Sequence, residues 1–425
     1  MRRMLVVIVA TIAVTGLGTL VAMNLAPATE KRIESRIERL YGTGDAQFPR
    51  TMGVLLGPAI VPGNRVTPLY NGREIFPAML AAIRSARRSI TFETYIYWSG
   101  EIGREFADAL AERSRAGVRV HVLLDWVGSS RMDERYLELL TANGVEVERY
   151  HPPHWYNLSR LNNRTHRKLL VVDGSVAFTG GVGIADTWLG DAEDPEHWRD
   201  THFRIEGPVV SQVQATFLDN WMKVRGEALH GDAYFPHLER IGDADAHMFS
   251  SSPTAGAESM HLMYMLAITA AERTIDLASA YFVPDELTLR TLRAALARGV
   301  RVRIIVPGPF TDAALVQRAG RASWGELLRA GAEIHQFQPT MYHCKVMVVD
   351  GRFVSVGSTN FDNRSFSLND EANLNVYDAD LARRETEAFE RDLARSRRVT
   401  LAEWERRPWT EKLAERTAAL LDSQL

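Results

Sequence analysis

Apolar positions follow two periods along this chain. Short runs rich in β-branched and aromatic residues, such as ITFETYIYW from Ile90, alternate with stretches of about 12 to 15 residues whose apolar positions recur at helical spacing and whose ends carry glycine. Such alternation predicts a sheet covered by helices, an α/β architecture. The pattern occurs twice. RRSITFETYIYW from Arg87 resembles ERTIDLASAYFVP from Glu272, and RAGVRV from Arg115 resembles RGVRV from Arg298. Later, ANGVEV from Ala142 resembles AGAEI from Ala330, and LLVVDGSVAFTGG from Leu169 resembles VMVVDGRFVSVGSTN from Val346. The offset stays near about 180 residues throughout, as a duplicated domain requires.

The exception to both periods is the start. From Met4 to Ala26 the chain is apolar and uncharged, follows Arg2 and Arg3, and is long enough to cross a bilayer as one helix. The Ala26-Pro27-Ala28 step also fits signal-peptide cleavage, so anchor and signal both stand, the length of the run favouring the anchor. Basic residues flank both ends (Arg2 and Arg3; Lys31, Arg32, Arg36 and Arg39), and the reading leans to a single-pass anchor in the cell membrane with the bulk of the chain extracytoplasmic. We read residues 1–28 as the anchor, 29–68 as a juxtamembrane segment, 69–225 as the first half and 226–250 as a polar linker. The second half is 251–379, and 380–425, rich in Arg, Glu, Ala and Leu, is a helical, solvated tail.

Composition narrows the field. A chain of 425 residues with 46% apolar content can build two domain-sized cores. The net charge of −3 offers no whole-chain basic field for a nucleic acid, and none is expected as a partner. One cysteine, Cys344, excludes an intramolecular disulfide and leaves the compartment open. Only five of the fifty basic residues are lysine: Lys31, Lys168, Lys223, Lys345 and Lys412.

Two of those five lie in the same constellation. His166-Arg167-Lys168 is followed by Asp173, and His343-Cys344-Lys345 by Asp350, each leading into an alternating strand that puts His and Lys on one face. A lone histidine on an apolar strand is most often a hydrogen-bonded core residue. Lysine, almost never fully buried unless paired, changes that reading, because a repeated His–Lys couple among Val and Leu needs an anion to justify it, and phosphate meets the need. A metal ion does not, because a cation disfavours two adjacent ammonium groups, so no metal or cofactor is expected. Two histidines and two lysines around one phosphodiester suit covalent transfer: one neutral imidazole attacks phosphorus while the other, protonated, supplies the departing alcohol. Asp173, Asp350, Asp200 and Glu371 are the carboxylates that can set those two protonation states apart. Gly180-Gly181 and Gly357-Ser358 follow each motif at a fixed distance, and their backbone amides are candidates for an anion, with Asn360 adding a side-chain amide.

At this point the sequence resembles the phospholipase D superfamily, and within it the bacterial cardiolipin synthases. The likeness spans about Asn71 to Arg398, and is most specific in THRKLLVVDGSVAFTGGVGIAD, HWRDTHFRIEGPVV, SAYFVPD and MYHCKVMVVDGRFVSVGSTNFDNRSFSLNDEANL. It implies two α/β halves about a pseudo-twofold axis sharing one metal-independent active site. By the same resemblance His166 is the nucleophile and His343 the general acid and then base. Lys168, Lys345 and Asn360 match phosphate-holding positions, with Gly181 and Ser358 beside them, and Glu371 and Asp200 match orienting carboxylates. The chain departs from the family in carrying Gly183 where many members have Asn, and one apolar span where the longest members have two.

Three functions follow. The first is transfer between phospholipids at a membrane, with phosphatidylglycerol as donor and acceptor and cardiolipin plus glycerol as products. The second is hydrolysis of phospholipid headgroups or of nucleic-acid phosphodiesters. The third is a non-catalytic phospholipid-binding scaffold, against which stand two complete motifs. Trp188, Trp198, Tyr95, Tyr97, Trp98 and Tyr281 are candidates for a lipid channel, although aromatics on strands are more often core.

Overall fold

The structure, a computed structural model, describes residues 2–25, 33, 35–153, 162–252 and 259–420. The first half contributes strands β1 (Val61–Tyr70), β2 (Ser89–Thr94), β3 (Arg119–Asp125), β4 (Glu146–Tyr150), β5 (Arg164–Thr165), β6 (Leu169–Val172), β7 (Val176–Gly180) and β8 (Thr201–Glu206). The second contributes β9 (Ala244–Ser251), β10 (Thr274–Ser279), β11 (Phe282–Val283), β12 (Arg301–Pro307), β13 (Glu333–Phe337), β14 (Lys345–Val349), β15 (Phe353–Gly357), β16 (Phe361–Asp362), β17 (Asn369–Tyr377) and β18 (Ser396–Val399).

All but β11 and β16 join one sheet, in the order β18-β13-β12-β10-β14-β15-β17-β9-β1-β8-β7-β6-β2-β3-β4, with β5 paired to β17 off that path. The two halves mirror one another about the β9–β1 seam. In each, three strands run parallel (β2-β3-β4; β10-β12-β13) and the motif hairpin (β6-β7; β14-β15) lies antiparallel beside them. Alternation along β3 shows why the sheet is buried on both faces: Val122 and Leu124 join a cluster with Ile75, Phe92 and Phe106, while Leu123 joins one with Leu169, Phe203 and Trp221. The latter cluster continues across the seam to Met248, Val346 and Phe389, so the halves share a core. The second half has its own cluster around Met263, Ile275, Leu292 and Ile304.

Three boundaries differ from the sequence reading. Residues 61–68, assigned to the juxtamembrane segment, are strand, because β1 pairs with both β8 and β9 at the seam. The end of the linker is likewise β9, paired with β17 from Asp245 to Ser251. The tail is not a solvated appendage: the helix Ala379–Ala394 buries Leu381, Ala382, Ala388 and Phe389, Asp392 pairs with buried Arg199 at 3.0 Å, and β18 extends the sheet beside β13. It fills the place that Val210–Arg225 fills in the first half, and its exposed Arg and Glu form the outer face that the charge pattern detects.

The N-terminal helix Arg2–Leu25 includes a run, Val6–Met23, with mean hydropathy 2.3, long and apolar enough to cross a membrane and with none of it buried. Ala26-Pro27-Ala28 lies outside the described residues.

Under the motif of the first half lies a buried polar network. Arg167 is fully buried, donates to Asp219 at 3.0 Å and to the carbonyl of Thr216 at 2.9 Å, and lies 3.9 Å from Asp370. Removing one member of a buried ion network leaves the others uncompensated, at a cost of about 3–5 kcal/mol. Arg167→Met is therefore expected to lower the urea midpoint sharply, and an unchanged midpoint would contradict a structural role for this guanidinium.

Candidate active site

The two motifs meet because the segment leading into each pairs with the opposite half. β5 runs parallel to β17 with Thr165 opposite Asp370, and the His166 amide donates to the Asp370 carbonyl at 2.9 Å. In the mirror arrangement the His343 amide donates to the Arg199 carbonyl at 2.8 Å. This register sets each histidine beside a carboxylate of the other half. His166 Nδ1 lies 3.0 and 3.1 Å from the two Glu371 oxygens, and His343 Nδ1 lies 2.7 Å from Asp200 Oδ2. With Nδ1 as the donor, Nε2 of each ring is left for chemistry.

Both carboxylates are fully buried and held from several sides. Asp200 accepts from Trp188 Nε1 at 3.0 Å and from the Thr201 amide at 2.8 Å, while Glu371 accepts from the Ser358 hydroxyl and from Asn369 Nδ2 at 3.3 Å. Burial opposes their charge, but His343 and Lys345 hold Asp200 below the usual range, and His166, Lys168 and Ser358 do the same for Glu371. Burial works the other way on the rings: it lowers His166 to about 4, against Glu371 and with Lys168, and lowers His343, with Lys345 adding to the effect. Both shifts favour the neutral imidazole near neutral pH.

Lys168 and Lys345 are 3% and 4% exposed, and each curls back to the carbonyl of its own histidine at 2.7 Å. Lys345 also lies 3.2 Å from His343 Nε2. Burial, and then the ammonium of Lys345, bring Lys168 down to about 7. Two buried ammonium groups near one another are a candidate site for an anion.

The histidines open on a cavity of about 750 Å³ whose lining includes Tyr95, Trp98, His166, Lys168, Trp198 and His343. Asn360 also lines it, and its buried Oδ1 has no partner among the described residues. Of the remaining candidate aromatics, Tyr281 lines the cavity, Trp188 packs against His343 from behind at 5.3 Å between ring centres, and Tyr97 is core, its hydroxyl on the Gly103 carbonyl.

Four candidates stand elsewhere than expected. Asp173 and Asp350 do not line the cavity. Each occupies a left-handed turn, φ 52° and 53°, where its carboxylate accepts backbone amides at the start of a neighbouring strand: Arg87, Arg88 and Ser89 for Asp173, and Glu272, Arg273 and Thr274 for Asp350. They brace the motif hairpins, and neither is among the main charges acting on His166 or His343. The amides of Gly181 and Ser358 are bound to the carbonyls of Thr201 and Ala372, so neither is offered to an anion. Gly181 is needed for space, since a Cβ there meets Asp200 Oδ1 at 2.2 Å. The serine hydroxyl holds Glu371. At Gly183 a Cβ meets that of Ile96 at 2.8 Å, so the Asn of other members does not fit this backbone unless Ile96 moves.

Sequence reasoning passed over Arg164, Arg364 and Asp312 in the lining. Arg164, two residues before His166, and Arg364, four residues after Asn360, were within reach of the motifs; Asp312 arrives by folding alone.

The low value for Lys168 carries a pH prediction. Anion binding uses the ammonium form, present below about 7 and lost above it. The inhibition constant of sulfate is therefore expected to be lowest below pH 7 and to rise above it, approaching tenfold per pH unit. Lys168→Arg, charged throughout this range, flattens the rise. A flat wild-type profile would refute the assignment.

A family model described as cardiolipin synthase, PLD-like domain, matches residues 79–221 and 264–393. The cardiolipin synthase of Geobacillus kaustophilus is 37% identical over 360 residues, spanning 84% of this chain and 72% of the relative. Cardiolipin synthase A of Pseudomonas fluorescens is 32% identical over 400 residues, spanning 94% and 82%. Among solved structures, the phosphatidylserine synthase of Haemophilus influenzae superposes with a TM-score of 0.69 at 14% identity, covering 89% of this chain and 100% of that one, a likeness of fold. The chain belongs to the cardiolipin synthase family of phospholipase D-like phosphatidyltransferases.

Proposed function

We propose that the protein joins two phosphatidylglycerol molecules into cardiolipin with release of glycerol, through a phosphatidyl-histidine intermediate. The observation that carries this reading is the crossed pairing: two histidines, each with Nδ1 on a carboxylate of the other half, open on one cavity, each with the lysine of its own motif beside it. Lys168, Lys345 and Asn360 hold the reacting phosphate. His166, neutral well below any working pH, attacks phosphorus through Nε2. The bond from phosphorus to the glycerol oxygen breaks as His343, protonated once the phosphate draws Lys345 away, gives that oxygen its proton. Glu371 balances the charge on the substituted ring and Asp200 that on protonated His343. A hydroxyl of the second phosphatidylglycerol then loses its proton to His343 and attacks phosphorus, and the P–N bond breaks to give cardiolipin. The apolar N-terminal helix keeps the cavity at the bilayer that holds both substrates.

The test is turnover of labelled phosphatidylglycerol by purified protein in mixed micelles. Cardiolipin and glycerol are expected in equal amounts. Phosphatidic acid without cardiolipin would mean hydrolysis instead, and folded protein that leaves the lipid untouched would refute the substrate class.

A further inference from the structure

The proposed reaction brings two anionic lipids to one cavity, yet the paired lysines serve only the phosphate that reacts. The phosphate of the acceptor keeps its charge throughout and needs a counterpart of its own. One part of the cavity lining supplies it. Arg164, at the start of β5, is partly buried over the ring of Trp126 at 5.6 Å and donates to the Asn163 carbonyl at 2.9 Å. Arg364, on the short helix Asn363–Ser367, donates to Oδ1 and to the carbonyl of Asn162 at 3.0 and 2.9 Å. The β5–β17 pairing, with Arg164 opposite Asn369, brings these guanidinium groups from opposite halves to adjacent residues, Asn163 and Asn162, and both line the cavity. Burial, and the nearness of Arg364, hold Arg164 below its ordinary value in spite of Asp125. The neighbouring carboxylates are engaged: Asp125 accepts from the amides of Val127, Gly128 and Thr165, and Asp362 from that of Ser365. Two guanidinium groups kept together against their repulsion, with planar donors suited to phosphate oxygens, mark an anion site distinct from the lysines.

We propose that Arg164 and Arg364 form a second phosphate subsite, which holds the unreactive phosphodiester of the acceptor phospholipid and so favours an anionic lipid over water or a neutral alcohol as acceptor. This rests on the transferase reading above. It predicts which of two reactions the arginines serve. Cardiolipin formation uses a phosphate-bearing acceptor, whereas exchange of labelled glycerol into phosphatidylglycerol uses the same donor, histidines and lysines with an acceptor that has none.

The experiment measures both rates in the same micelles for wild type, Arg164→Gln, Arg364→Gln and the double variant. Cardiolipin formation at low acceptor concentration is expected to fall at least about tenfold in the double variant while glycerol exchange stays within about twofold, as loss of charge-assisted bonds to one phosphate requires. In wild type, raising sodium chloride is expected to depress cardiolipin formation more than exchange, a comparison that needs no variant. A ratio of the two rates that moves with neither substitution nor salt overturns the subsite. Wild-type protein that catalyses neither reaction overturns the transferase reading, and the subsite with it; exchange with no cardiolipin overturns the subsite and the cardiolipin product while leaving phosphatidyl transfer through the histidines standing.

Discussion

His166→Ala and His343→Ala are each expected to lower the turnover of phosphatidylglycerol by at least about four orders of magnitude, and the double variant by little more. The reason is that in the proposed mechanism the two rings are steps in one relay. Without His166 no covalent intermediate forms, and without His343 the departing glycerol oxygen has no proton and the incoming hydroxyl no base. Groups that act as a unit lose their effect together, so the costs do not add. Both rings are largely buried but sit at the cavity wall, so truncation leaves space that solvent can fill and the fold is expected to persist. The check is single-turnover kinetics with a thermal melt of each variant. Residual turnover within tenfold of wild type in either one would remove that ring from the reaction.

Asp200→Asn and Glu371→Gln are expected to cost about 10³-fold in kcat, with KM changed by only a few-fold. Each replacement keeps the shape of the side chain and removes the charge that fixes the ring tautomer and supports the imidazolium. Asp200 Oδ2 is 2.7 Å from His343 Nδ1 and also accepts from Trp188, while Oδ1 accepts from the Thr201 amide, so in either orientation the amide nitrogen of Asn faces a donor. Glu371 touches His166 with both oxygens, and its amide form exchanges one acceptor for a donor facing the ring. The two effects differ in kind, because in the proposed mechanism Asp200 serves proton transfer and Glu371 the nucleophile. The pH profile of kcat is therefore expected to shift in Asp200→Asn and to keep its shape in Glu371→Gln. Equal profiles would contradict the division of roles.

The duplicated α/β plan was legible because each half buries its strands on both faces, which writes continuous apolar runs such as LLVV and VMVV into the sequence at matching places. The histidine and lysine couples were legible through chemistry, since lysine is scarce here and stands beside histidine twice. Which carboxylate serves which ring was not. Asp200 reaches His343 and Glu371 reaches His166 only through the register of strands from opposite halves, a long-range fact with no local signature. The aspartates of the motif misled for a related reason: their constant distance from His–Lys reflects the length of a hairpin whose left-handed turn needs a short acceptor side chain. Gly181 and Ser358 looked like anion donors because glycine beside a motif reads as open backbone, whereas one makes room for Asp200 and the other holds Glu371. The tail read as solvated because its outward face is densely charged, while the apolar stripe of Leu381, Ala382, Ala388 and Phe389 is narrow enough to be lost among Arg and Glu.

The central claim is that one active site, built from both halves, passes a phosphatidyl group through a single histidine. Its most direct measurement is peptide mass spectrometry of wild-type protein quenched at neutral pH in denaturant during turnover of phosphatidylglycerol. The account predicts a phosphatidyl adduct on His166, at no more than one per chain. Steady turnover with no adduct on either histidine, or an adduct on His343 alone, would contradict it.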